Sequence, residues 1–341
     1  MTPSNNPHTL SKAGKYQKLW LLLTLLSIVL LVFCFIIGRY PRPYFTSPTD
    51  LIEDAFTRNI LLYFRLPRIV FAFLLGAVLA AAGTVFQMLF RNPLVDSGFL
   101  GVSSGAAFGA SLAIIAFSGS LAATQTLATL FAIAGLALSY FLSVRFKIDD
   151  WMLKLVLAGI AVSALFSSGT GLLKYMADPL KELPEITFWL LGGIWTVTWM
   201  DVLHVLPIVL PALLILFIMR WRLNLLSMHD ETVFSLMRFA NLERLVLLLA
   251  AVISTAIMTA KAGQIGWVGL IIPHVVRVFM GSDAQRVLPG SMLVGGLFVL
   301  VCDTVARTLS SGEIPLGILS SSIGATIFLV LLLVKRIRVQ R

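Results

Sequence analysis

The sequence predicts an all-α, polytopic membrane protein. Three observations carry this. Of 341 residues, 58% are hydrophobic and only 12% are charged, against about 25% charged in soluble domains. Apolar runs of roughly 17–25 residues, each long enough to cross a bilayer core, recur along the whole chain. The runs are continuous, whereas a membrane β-barrel needs short strands of alternating polarity.

The elements follow in chain order. Residues 1–18 are polar and basic and read as a tail; residues 19–341 read as one transmembrane domain. The first apolar run, Leu19 to Ile37, is too long for a signal h-region and lacks a small-residue cleavage site, so it is a retained span. Ten spans are expected, at about 19–38, 68–89, 98–117, 122–142, 152–173, 201–220, 244–261, 267–280, 288–309 and 316–334. The eighth is short and carries Pro273, which is tolerated only where neighbours or a cavity satisfy the freed backbone groups.

An even number of spans puts both termini on one side. With that side in the cytoplasm, most of the 26 Lys and Arg residues fall on it, as the positive-inside rule requires. The net charge of +10 is therefore a signal of topology and of anionic lipid. No basic patch is interleaved with aromatics, which excludes a nucleic-acid partner. A faint internal echo is also present. Gly98-Phe99-Leu100-Gly101 and Gly266-Trp267-Val268-Gly269 each follow a helix that opens with Leu-x-Arg, at Leu66–Arg68 and Leu242–Arg244. In the expected topology the two copies run in opposite directions, the pattern of an inverted repeat.

Enzymatic and self-powered readings find little support. There is no Gly-x-x-x-x-Gly-Lys-Ser/Thr loop, so the chain holds no Walker-type ATPase. His8, His204, His229 and His274 form no His-Glu-x-x-His pair, and Cys34 and Cys302 sit singly in apolar runs as small buried hydrophobes. No metal site and no cofactor are expected. Carboxylates are scarce at mid-span; Asp303 and Glu313 lie toward the outer end of the ninth span and the loop after it. A proton-coupled carrier needs them nearer the centre. The chain reads as a pathway without an engine: if transport is active, its energy must come from a partner.

Three regions stand out beyond the spans. In the loop from Arg220 to Arg244, Ser227 and Asp230 have capping-box spacing. Val233, Leu236, Met237 and Ala240 follow at helical spacing, with Asp230 and Glu231 at the start and Arg238 near the end. This predicts a short amphipathic helix that either docks a partner or packs on its own protein. On the outer side, Ser47-Pro48-Thr49-Asp50 reads as a helix start. Arg65, Arg68 and Arg307 are either interfacial anchors or a ring for a partner's carboxylates. In Gly263–Phe279, Gly266 and Gly269 suit close packing and Pro273 a bent helix, while Arg277 reaches toward the inner interface. His274 has no partner at ligand spacing and reads as a packing or hydrogen-bonding residue.

These same stretches carry a family resemblance. "RLPRIVFAFLLGAVLAAAGTVFQMLFRNPLVDSGFLGVSSGAAFG", "LVLAGIAVSAL", "FWLLGGI", "GQIGWVGLIIPHVVRVFMGSD", "CDTVAR" and "GEIPLGILSSSIGATIF" together resemble the permease subunits of ABC importers for metal chelates. The resemblance covers most of the chain from about Arg65. It implies ten helices with both termini cytoplasmic, in a bacterial inner membrane. It also implies a homodimer with two ATPase subunits that bind ATP and Mg, and a periplasmic binding protein. Arg65, Arg68 and Arg307 would then meet glutamates of the binding protein. Asn92, Pro93 and Leu94 would belong to a cytoplasmic gate, and Asp230 to Arg238 to the helix that contacts the ATPase. Gly101, Ser103, Ser104 and Gly105 would line the pathway or serve close packing. The chain departs from the family's usual Gly-Asp/Glu-Glu-x-Ala-x-x-Leu-Gly, with His229, Val233 and Met237-Arg238-Phe239-Ala240. Iron-siderophore is the favoured cargo by family frequency, with haem, cobalamin and an oxyanion such as molybdate as alternatives; "FWLLGGIWTVTW" leans toward the cobalamin permeases.

Overall fold

A computed structural model describes residues 7–39, 54–96, 98–147, 150–310 and 312–334. The expected helix start at Ser47–Asp50 lies outside the described residues. The described chain is all helical. Helix α1 covers Pro7–Ile36, so most of the expected polar tail continues the first span as helix. Helix α2 (Ala55–Ile60) passes through a π-helical turn at Leu61–Arg65 into α3 (Leu66–Leu89). Then come α4 (Val102–Ala116), α5 (Leu121–Arg145), α6 (Trp151–Met176), α7 (Glu182–Leu191) and α8 (Trp199–Ile218). The second half holds α9 (Arg220–Leu226), α10 (Asp230–Leu236), α11 (Ala240–Ala262), α12 (Val268–Met280), α13 (Ala284–Leu309) and α14 (Leu316–Val334).

Eight of these helical stretches are long and apolar enough to cross a membrane. Two further apolar helices, α4 and α12, occupy the positions of the expected third and eighth spans but have only 15 and 13 residues. At 1.5 Å per residue α12 is about 20 Å long, short of a hydrocarbon core of roughly 30 Å. The shortening has a local cause. Each is entered through a residue in the left-handed region, Gly101 at φ +80° and Trp267 at φ +72°. That conformation cannot continue a right-handed helix, so each helix starts there.

Helix α3 is the hub. It is apolar and buried almost all round, and it packs on α1, α8, α9, α11, α12 and α13. Small residues allow the closest of these approaches. A Cβ at Gly76 would lie 2.0 Å from the Gly295 carbonyl oxygen of α13, and one at Gly83 would lie 1.9 Å from that of Gly269 in α12. Such backbone-to-backbone contact replaces the hydrophobic drive that lipid removes. Helices α4, α5 and α6 pack on one another, and α11 joins that trio to α3 and α8. By contrast α1 and α14 bury little, and α6 leaves Leu153, Leu157, Ile160, Leu165 and Leu172 exposed. Those outward faces suit lipid or another chain.

Candidate functional site

Polar side chains gather at three levels of the bundle: one end, the middle, and the opposite end. At the first end, the three arginines read as a partner-facing ring do come together, but they point inward. Pro67 sits in the first turn of α3, and the helix swings Arg68 against α13. Arg68 Nε donates to Asp303 Oδ1 at 2.8 Å, and its Nη1 donates to both oxygens of Glu313 at 2.9–3.0 Å. Asp303 is fully buried and Arg68 is 9% exposed. Arg307, one turn beyond Asp303, lies 3.8 Å from Asp303 Oδ2 and donates to the Cys34 carbonyl. Arg65 is 7% exposed and donates to the carbonyls of Phe35 and Ile36 at 2.8 and 3.2 Å. The cluster therefore ties the end of α1, the start of α3 and the end of α13 together. The same end carries Lys261 paired with Asp201 at 2.8 Å, where Thr198 and Asp201 form the capping box of α8.

At mid-bundle, a cavity of about 530 Å³ lies between the starts of the two short helices. Asp96, Ser103, Thr259, Gln264, Trp267 and Ser321 are among the residues lining it, and among the described residues no Lys or Arg does. Gln264 Nε2 donates to the Ser103 carbonyl oxygen at 2.9 Å, linking the entry of α12 to the first turn of α4. Of the four residues expected to line a pathway or pack, Ser103 lines this cavity and Ser104 lines an adjoining one with Asp96 and Ser163. Gly101 and Gly105 do the packing: Cβ atoms there would collide with Val162 and with the Phe131 carbonyl. Gly266 and Gly269 line the cavity, and Gly269 also packs against α3. Asp96 escaped sequence reasoning. Its Oδ1 accepts from the Gly98 amide at 2.9 Å, a local turn that Asp-x-Gly spacing encodes.

At the other end, Asn92 Oδ1 accepts from the Leu94 amide at 2.9 Å, closing a tight turn around Pro93. Pro273 lies inside α12. Arg277 donates to Gln87 Oε1, whose amide in turn donates to the carbonyls of Gly269 and Leu270. Arg277 therefore braces α12 against α3 rather than projecting freely to an interface. His274 is partly buried on the same helix.

The expected short helix is present as α10, with a different cap. Ser227 does not cap it: its hydroxyl donates to the Asn224 carbonyl at 2.7 Å, and the N-cap position falls to His229. The reason is α9, which ends at Leu226 and uses Ser227 to close its own last turn. Val233 and Met237 face inward as expected. Leu236, the last residue of the helix, does not: it is 61% exposed, and Phe234, Phe239 and Leu242 nearby in the chain are exposed too. Arg238 lies past the helix and stacks over Phe239 at 5.3 Å. Asp230 accepts from Arg244 Nη2 at 2.8 Å. Nearby, Asp283 caps α13. Burial pushes its carboxyl up, but hydrogen bonds from Asn224, Gln285 and Arg286 outweigh that and hold it below its usual range.

The FecCD transport family profile matches residues 26–334. The chain belongs to the FecCD transport family. Its members are permeases of metal-chelate type ABC transporters. The molybdate import system permease protein MolB of Haemophilus influenzae is 41% identical over 324 residues, covering 93% of this chain and 95% of that protein. The hemin transport system permease protein HmuU of Yersinia pestis is 38% identical, covering 82% of this chain and 84% of its own. A solved structure described as a metal-chelate type ABC transporter in an inward-facing conformation superposes with a TM-score of 0.85 at 41% identity. It covers 93% of this chain and 99% of that one. The FecCD chain is thus a multi-pass membrane permease.

Proposed function

We propose that this chain is the membrane subunit of an ATP-driven importer that works as a homodimer. Two cytoplasmic ATPase subunits and a periplasmic binding protein complete the complex. The observation that carries the reading is α10. A short helix presents exposed Phe234 and Leu236, with Phe239 and Leu242 beside them, while Val233 and the Asp230–Arg244 pair hold it on the bundle. An exposed apolar patch fixed to a rigid support is what a docking ATPase requires.

In this reading α4 and α12 complete ten crossings and the two Leu-x-Arg units are inverted copies. Both termini face the cytoplasm, and the arginine cluster faces the periplasm. A binding protein's carboxylates would engage Arg65, Arg68 and Arg307 by displacing Glu313, the more exposed of the two internal acids. The lining of the central cavity, hydroxyls and one carboxylate with no Lys or Arg among the described residues, suits a cargo that is released rather than held. The chain itself supplies no hydrolytic chemistry; ATP and Mg belong to the partner.

The cargo is a metal chelate, with an iron-siderophore complex first. A central cavity of about 530 Å³ matches a compact organic ligand. The 41% identity to a molybdate permease favours an oxyanion as the second reading. Vesicle uptake decides both points. Chain plus ATPase and binding protein should accumulate labelled ferric siderophore with ATP, and the lone chain should not. Accumulation by the lone chain would overturn the importer reading, and competition by molybdate but not by siderophore or hemin would reverse the order of cargoes. Charge reversal at Arg65, Arg68 and Arg307 should weaken binding-protein docking in a salt-dependent way. Unchanged affinity would remove those residues from the docking surface.

A further inference from the structure

Arg244 is the most unusual cation at the α10 end. It sits near the start of α11 and is 3% exposed. Among the described residues only Nη2 has a hydrogen-bond acceptor, Asp230 Oδ1 at 2.8 Å; Nε and Nη1 are buried with none. The rest of its environment is aromatic. The guanidinium carbon lies 4.8 Å from the ring centre of Trp151, the first residue of α6, and 5.5 Å from that of Phe234 on α10. Ring faces attract a desolvated cation but form no directional hydrogen bond. The guanidinium is thus held by one anchor on α10 and two aromatic rings, one on α10 and one on α6.

The contact chain continues. The Trp151 ring lies 5.8 Å from Phe90, and Phe90 lies 5.7 Å from Phe86, both at the end of α3. Beside them Arg91 Nη2 reaches Met152 Sδ at 3.7 Å. Arg91 has φ +48° and directly precedes the Asn92–Leu94 turn. An unbroken line of contacts therefore runs from α10 through Arg244 and Trp151 to that turn.

We propose that Arg244 is a positioning residue that transmits displacement of α10 to α6 and to the Asn92–Leu94 turn. The proposal rests on the reading of α10 as the ATPase-docking helix. Asp230 makes Arg244 follow α10, and the flat guanidinium then pushes on Trp151. Lysine keeps the charge and the Asp230 partner but loses the plane that spans both rings. Contiguity alone is not coupling, so the test must read motion.

The experiment uses the full complex in nanodiscs, with Cys34 and Cys302 replaced. One cysteine at Leu236 is used for crosslinking to the ATPase. In a second set, spin labels at Leu153 on α6 and Ile318 on α14 report on α6. In the parent, non-hydrolysed ATP analogue should shift the 153–318 distance. In Arg244→Lys the shift should be lost, while the crosslink and ATP hydrolysis stay within about twofold of the parent, the spread expected of a change that leaves assembly intact. Trp151→Phe should retain the shift because it keeps a ring, and Trp151→Leu should lose it. A full shift in Arg244→Lys with the crosslink intact overturns the proposal, as does an equal loss in Trp151→Phe and Trp151→Leu. No crosslink from position 236 in the parent overturns the docking reading, and the proposal with it.

Discussion

Arg68 and Arg244 occupy the same place in two Leu-x-Arg openings, each near the start of a long buried helix, yet they are compensated in different ways. Arg68 has two carboxylates from a single neighbourhood, Asp303 and Glu313, and all its contacts are charge-assisted hydrogen bonds of 2.8–3.0 Å. Arg244 has one carboxylate and two ring faces, with two nitrogens left without an acceptor. Directional bonds to fixed acids resist any change of geometry. Ring faces tolerate sliding, because the attraction varies gently with position. The first arrangement suits a clamp between α3 and α13, and the second a joint between moving parts.

The largest effect should come from breaking the clamp. Arg68→Met leaves Asp303 as a buried carboxylate with little compensation and should cost about 3–5 kcal/mol, read as loss of thermal stability in detergent. Removing both partners sharpens the point: Arg68→Met with Asp303→Leu should recover most of that loss, because well-packed apolar pairs replace buried ion pairs at little cost. A double variant as unstable as the single one would show that the charges are not acting as a pair. Next in size is Arg244→Lys, expected to cost about 1–2 kcal/mol through lost stacking. A drop equal to that of Arg68→Met would erase the distinction between clamp and joint. Smallest is Glu313→Gln, under about 1 kcal/mol for a partly exposed partner. Its effect should instead appear in docking: with Arg68 partly released, binding-protein affinity should rise in a surface-binding assay, whereas an unchanged affinity would mean that Glu313 does not compete for that site.

Much of the bundle was legible in the sequence because apolar run length and helix punctuation are local properties. The position of Pro273 and the short helix after Asp230 were readable for the same reason. The inward turn of the arginines was not. Arg68 and Asp303 are 235 residues apart, and nothing local in Leu66-Pro67-Arg68 states that an acid on α13 will meet it. Ser227 misled for a related reason: its spacing to Asp230 fits a capping box, but the preceding helix α9 claims its hydroxyl first. The shortness of α4 was hidden because Gly98–Phe117 reads as one apolar run, and the left-handed turn at Gly101 is set by packing against Val162 and Gly135 as much as by glycine itself. Asp96 was overlooked inside a conspicuous motif, although its turn chemistry is local.

The short helix α12 also has consequences for how the chain is made. A 13-residue segment carrying Pro273 and Arg277 is a poor substrate for independent insertion into a bilayer. Its stability comes from Gly269 against Gly83 and from Arg277 against Gln87, contacts with a helix synthesised nearly two hundred residues earlier. Biogenesis must therefore hold α3 available, in or beside the insertion machinery, until α12 emerges. If α12 is a crossing, a truncated chain in which α12 has cleared the ribosome should already hold it against α3, and Gly83→Leu should leave it outside the lipid, which glycosylation or protease mapping of staged truncations would reveal.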